Sequence, residues 1–250
     1  MGKSKDLATR VGIDDNANAT AITIDSSENV GVGLTAPTAP LTIKSPTNAE
    51  AIHVVGRSDD IGQIKFLEAD HTTILATIEA RNSFVNFGST ANVPTKFMTN
   101  NNERMIINES GYVTMPHQPS FRAGTTSGYS SGSSVSTIQF PNVIHNVGNH
   151  YNSSNYTFTC PVAGVYYFGF HGNVRDVGGN ATGSLYGEIR KNSTRVGIYY
   201  MSDDPNASWH LISGQAIVSC AANDAILVRS QSNSYWDSSD WTQFYGYLLG

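Results

Sequence analysis

The side chains able to do chemistry are scattered along this chain. It holds seven histidines, of which His145, His150 and His171 come closest to a metal-ligand spacing. No cysteine or carboxylate is placed to complete a tetrahedral zinc site with them, so they read as loop and rim histidines. Serines are abundant, yet none sits in a nucleophile elbow and no Ser/His/Asp order can be singled out. Gly31-Val32-Gly33 has neither a lysine nor a helix behind it, which rules out a phosphate loop. Asp203-Asp204, and Asp237 with Asp240, offer hard oxygen ligands. Calcium is therefore the one ion with candidate ligands, and solvated acidic loops are the simpler reading of both. No catalytic constellation emerges, and the chain is not expected to be an enzyme or to need a cofactor.

Aromatic residues in polar stretches are more telling. Tyr129, Tyr151, Trp209, Tyr235, Trp236 and Trp241 lie among Ser, Asn and Asp, outside or at the ends of the predicted strands. Ring faces beside amides and hydroxyls suit a sugar or a receptor protein. The Tyr235-Trp236 pair leads this set, with Trp209 and Tyr129. For Tyr151 and Trp241, packing back over the fold or across a subunit seam competes with binding.

The elements that must position these residues are strands. Phe140 to Phe170 contains Tyr156-Thr157-Phe158-Thr159, a corner at Cys160-Pro161-Val162-Ala163-Gly164, and a second strand. Proline cannot donate to a ladder and glycine favours a turn, so the corner separates the two. In the second strand Val165, Tyr167 and Gly169 face one way, and Tyr166, Phe168 and Phe170 the other. Both faces are expected to be covered. Further strands follow at 185–190, 196–200, 210–218 and 225–229, each bounded by turn residues. Gly124 to Ser134 reads as a glycine-serine loop. Strands at this spacing argue for a jelly roll.

Earlier in the chain the alternation is shorter. Ala21 to Asp25, a turn at Ser26-Ser27-Glu28-Asn29, and Val30 to Leu34 read as a hairpin, and Leu41-Thr42-Ile43-Lys44 resumes a strand. About eighty residues on, Glu103 to Pro116 repeats strand, polar turn and strand, with Ile24-Asp25-Ser26-Ser27 aligning on Ile107-Asn108-Glu109-Ser110. Such duplication implies an elongated build. Between the copies, Ile52-His53-Val54-Val55, Gly62 to Phe66, Ile74 to Ile78 and Phe84 to Phe87 read as strands. Helix competes for Ile74 to Ala80, but Thr72, Thr73 and Thr77 favour a meander. These strands are too short and too few to bury a core alone, and wrapping three copies about one axis would supply the missing partner.

Composition narrows the classes. Charged residues make up 14% of the chain, against roughly 25% in an average globular protein, and solubility rests on amides and hydroxyls instead. A net charge of −5 and the lack of a basic stripe argue against nucleic acid and anionic membranes. The opening residues Met1 to Asp6 have no apolar core of a signal peptide, and no apolar run would span a bilayer, so synthesis in the cytosol is expected. Cys160 and Cys220 are then expected as reduced, buried thiols.

Phe140, Asn146, Tyr151, Phe158, Gly164, Tyr166, Phe168 and Phe170 stand at the intervals of the signature of C1q-like domains. Phe121-Arg122-Ala123 matches the opening of that family's first strand. Phe244-Tyr245-Gly246-Tyr247-Leu248-Leu249 resembles its last, and Asn223-Asp224 its tight acidic hairpin. The resemblance implies a jelly roll of the complement and tumour-necrosis-factor type, trimerising around an axis lined with aromatics. Tyr166, Phe168, Phe170, Phe244 and Tyr247 are its candidate core or axis residues. The front hairpins resemble those of bacteriophage tail-fibre and virion structural proteins.

Together these readings predict an all-β homotrimer, with an attachment peptide at 1–20, an intertwined β-shaft at 21–117 and a jelly-roll head at 118–250. The function they imply is that of a virion fibre or spike. Its N-terminus would dock to a capsid or tail protein, and its head would bind a host-surface glycan or protein. A capsid decoration protein without a receptor is the alternative.

Overall fold

The computed structural model describes residues 22–45, 50–127, 129–130, 136–176, 184–202, 209–230, 234–238 and 241–250. The predicted attachment peptide at 1–20 lies outside them. Regular structure among the described residues is twenty-two strands and no helix. Two compact units divide the chain, Met1–Val93 and Pro94–Gly250.

The first unit holds two small sheets. Strands β1 (Ile22–Ile24), β2 (Val30–Val32) and β3 (Leu41–Ile43) form one, antiparallel between β1 and β2 and parallel between β2 and β3. The other is a meander of β4 (Gly62–Leu67), β5 (Ile74–Ala80) and β6 (Val85–Ser89). Threonine-rich flanks thus prevail over the helical alternative for 74–80. The predicted strand at Ile52 to Val55 does not form: these residues join no sheet. Their apolar run has no neighbour to take up its ladder hydrogen bonds, and all four are exposed.

The second unit opens with a third small sheet, β7 (Thr95–Thr99), β8 (Asn102–Ile107) and β9 (Val113–Thr114). Its turn is the predicted copy of the β1–β2 turn, and the two agree in detail. The Asp25 carboxylate accepts from the backbone N–H groups of Ser27 (2.8 Å) and Asn29 (3.0 Å). The Asn108 side-chain oxygen accepts from those of Ser110 (3.0 Å) and Tyr112 (2.8 Å). Each turn needs a left-handed residue at its fourth position, Gly111 at φ 85° in one and Glu28 at φ 65° in the other. The local hydrogen bonds force Glu28 into a conformation that glycine adopts without steric cost.

The remaining strands build a two-layer jelly roll. They are β10 (Ser120–Gly124), β11 (Tyr129–Ser130), β12 (Ser136–Thr137), β13 (Asn142–Val147), β14 (Tyr151–Asn152), β15 (Thr157–Thr159), β16 (Gly164–Asp176), β17 (Ser184–Lys191), β18 (Thr194–Ser202), β19 (His210–Cys220), β20 (Ala225–Ser230), β21 (Ser234–Trp236) and β22 (Gln243–Leu248). One sheet runs β11-β21-β16-β22-β10-β13, with β19 on the other edge of β16. The second runs β14-β15-β20-β17-β18, with β12 on β20. The stretch expected to be a glycine-serine loop therefore carries β11, which pairs with β21.

The core lies between these layers. Phe121 stacks on Tyr151 and Phe158 at 4.8 Å and meets Phe244 edge-on. Phe168 is ringed by Phe121, Phe158, Tyr166 and Phe244. Tyr151 folds back as one reading expected, its hydroxyl donating to the Phe140 carbonyl at 2.9 Å. Glu188, fully buried, is offset by Arg190 and Arg195, each at 2.5 Å.

Candidate functional site

The long central strand β16 decides what the head presents. Its even residues Tyr166, Phe168, Phe170 and Val174 are buried between the layers. Its odd residues Val165, Tyr167, His171, Asn173 and Arg175 lie on the outer face. The expectation that both faces are covered is thus corrected: within one chain only the even face is, because no layer packs on the other. The five aromatics assigned to core or axis divide the same way. Tyr166, Phe168, Phe170 and Phe244 fill the chain's own core, whereas Tyr247 sits on the outer face, 44% exposed.

Register extends that outer face across the sheet. Tyr167 stands opposite Tyr247 and Ile217, Gly169 opposite Tyr245 and Gln215, and His171 opposite Gln243 and Ser213. Tyr167 lies 5.3 Å from Tyr247 and 6.4 Å from Tyr245, ring to ring. Its hydroxyl donates to Gln215 Oε1 at 2.6 Å. The Tyr245 ring lies so close over Gly169 that a Cβ there would meet it at 2.6 Å. Arg122 donates through Nε to Gln243 Oε1 at 2.8 Å. Partial burial, helped by the Arg122 charge, holds the His171 imidazole below its ordinary value. One end of the face is therefore a tyrosine patch with a polar margin.

The other end is different in kind. Arg175 is in register with Tyr235 on β21, and Trp209 immediately precedes His210, the partner of Val174 on β19. The three side chains form one row. The guanidinium carbon lies 4.9 Å from each ring centroid, and the rings stand 5.8 Å apart at 63°. They make two walls of a notch that the cation covers, which holds the long side chain in one geometry. Trp209 remains 36% exposed.

Of the four binding candidates, Trp209 and Tyr235 come together here. Trp236 does not: it is fully buried, against Phe170 on the core side. The correction has a simple cause, since 234–236 is a strand and not a loop, and neighbours in a strand face opposite ways. Tyr129 pairs with Trp236 through the backbone. Trp241 stays exposed. Arg175 was not anticipated, although the alternation that puts Tyr167 outward reaches it once β16 is continued to Asp176.

No metal centre assembles among the described residues. Asp237 accepts from the side-chain amide of Asn173 at 3.2 Å and from the Ser238 backbone at 2.8 Å. Asp203, Asp204 and Asp240 lie outside the described residues. Among the described residues no three His, Cys, Asp or Glu side chains group as metal ligands. Both cysteines are free and buried, and burial raises both thiols.

This arrangement of sheets and strands can be set beside known proteins. A family profile described as C1q domain matches residues 120–249. The chain belongs to the C1q family. A mouse relative, complement C1q and tumor necrosis factor-related protein 9, is 32% identical over 117 residues, which are 45% of this chain and 33% of the relative. The match thus spans about a third of that relative's length. Among solved structures, the globular domain of zebrafish complement 1qA has a TM-score of 0.43 and 18% identity, covering 53% of this chain and 98% of its own. Murine APRIL at pH 5.0 has a TM-score of 0.43 and 10% identity, covering 53% of this chain and 99% of its own. The C1q domain here provides a jelly roll whose β16 sheet has one face buried and one open.

Proposed function

We propose that three copies of this C1q-family chain assemble into a non-enzymatic fibre or spike that binds a partner through its head. One observation carries the reading, the inverted burial of the small sheets. In the β4–β6 sheet, Ile64, Ile78 and Phe87 share a row, as do Gly62, Ala80 and Val85. This apolar face is exposed, Val85 at 71% and Phe87 at 64%. The opposite face carries Gln63, Thr77 and Glu79 and is the better covered, with Gln63 and Arg81 donating to the Glu79 carboxylate. A sheet with its greasy side to water lacks a partner layer.

The β1–β3 sheet repeats the pattern. Ile22, Val32 and Ile43 share one row and Ile24, Val30 and Leu41 another, with Ile22, Ile24 and Leu41 exposed. In the third sheet Phe97 and Val113 are exposed on the face of Met105 and Ile107. Turning each apolar face towards the equivalent sheets of two sister chains buries all three at once and closes the assembly. The head's tyrosine patch supplies a further contact between copies.

In this reading the assembly belongs to a virion. The N-terminal end docks to a capsid or tail protein, and the aromatic row of the head meets a host-surface glycan or protein. Light scattering on the purified full chain is the test, with three times the 26.9 kDa chain mass expected. A monomer would overturn the proposal. Antibody against the head should stain tail tips, and staining of the whole shell would instead favour a capsid decoration protein.

A further inference from the structure

The geometry points to the Arg175 notch as a subsite for a carboxylate-bearing sugar, a ligand class more specific than the receptor-binding reading on which it rests. The guanidinium is held over the rings of Trp209 and Tyr235 at 4.9 Å each. No described carboxylate forms an ion pair with it. Its planar fork of N–H donors is thus positioned in advance, and none of the described carboxylates takes it up. The ligand that matches such a fork with two parallel hydrogen bonds is a carboxylate or a phosphate.

Charge decides between them. A single cation balances one carboxylate, whereas a phosphate dianion would be left half compensated on a chain of net charge −5. The exposed part of Trp209 decides between a sugar acid and an acidic peptide. A rigid apolar plate beside the fork fits the C–H face of a pyranose whose own ring bears the carboxylate, so that both contacts form without ordering a flexible chain. The subsite is also independent of the tyrosine patch. Tyr167 and Arg175 are eight residues apart on one strand, roughly 26 Å at strand rise. Copies that meet through the tyrosines need not cover the notch.

The experiment uses the full chain and three polymers of equal valency, bearing glucuronic acid, glucose or glutamate, with binding read by surface plasmon resonance. Glucuronate polymer should bind at least tenfold more tightly than either of the others. Arg175→Lys, which keeps the charge but loses the fork, should remove at least tenfold of that binding, and Trp209→Ala a similar amount. Both variants should retain wild-type mass and melting temperature. Equal binding of glucose polymer, equal binding of glutamate polymer, or wild-type affinity in Arg175→Lys would each overturn the inference. Absence of binding to all three polymers by an assembled trimer would overturn it too, leaving the fibre reading intact. A monomeric mass would instead count against the fibre reading.

Discussion

The jelly roll and the β4–β6 sheet are made of the same kind of strand, yet they bury opposite things. In the jelly roll Phe121, Phe158, Phe168 and Phe244 are enclosed between two layers. In the small sheet Ile64, Phe66, Val85 and Phe87 face outward, and the polar side is the covered one. Alternation creates an apolar face in both; only the jelly roll contributes a second layer to cover it. An apolar stripe thus says that a partner is needed, not that the partner is in the same chain.

The sharpest test of this contrast is Phe168→Ala. Removing a ring surrounded on all sides should cost about 3–5 kcal/mol, seen as a large fall in the urea midpoint of the head. A loss under 1 kcal/mol would mean that the jelly roll is not the self-sufficient half. Next in size, Phe87→Asp should leave the head's midpoint unchanged while making the first unit sensitive to protease in the assembled protein. Unchanged protease resistance would place Phe87 in water after all.

Smaller changes sharpen the comparison of the two duplicated turns. Gly111→Ala should cost about 1–2 kcal/mol, the usual penalty of the left-handed region for a residue with a Cβ. Glu28→Gly should gain about 0.5 kcal/mol, once the extra chain entropy of glycine is set against the relieved strain. Denaturant midpoints of the two variants should move in opposite directions, and a shared direction would break the equivalence of the turns.

The smallest effect concerns the open face of the head. Because the folded His171 holds its proton less well than an unfolded histidine at about 6.5, the unfolded state binds more protons as pH falls. Head stability should therefore decline as pH drops through 6.5, and His171→Gln should flatten that slope. An unaltered slope in the variant would show that His171 is more solvated than its place beside Tyr245 implies.

Much of the fold was legible because its signals are local. The intervals from Phe140 to Phe170 and the closing Phe244 to Leu249 run through β13 to β16 and β22, whose inward rings the structure places in one core. The Asp25 and Asn108 turns could be aligned because each is fixed by one side chain bonding its own backbone. The candidate site was half legible. Trp209 and Tyr235 were nominated for their polar surroundings, which also suggested Trp236. That residue failed because Ser and Asn neighbours do not reveal whether a segment pairs as a strand, and pairing alone sends Trp236 inward.

Sequence by itself determined the period-two pattern and the turn positions, since each depends on residues close together in the chain, and it pointed to the family through residues kept in order along the chain. Tertiary structure alone decided that Arg175, Trp209 and Tyr235 come together, because Arg175 and Tyr235 lie on β16 and β21 and Trp209 just before β19, and only the pairing of these strands sets them side by side. It also decided which apolar faces are closed, for closure depends on whether a second layer of the same chain reaches them.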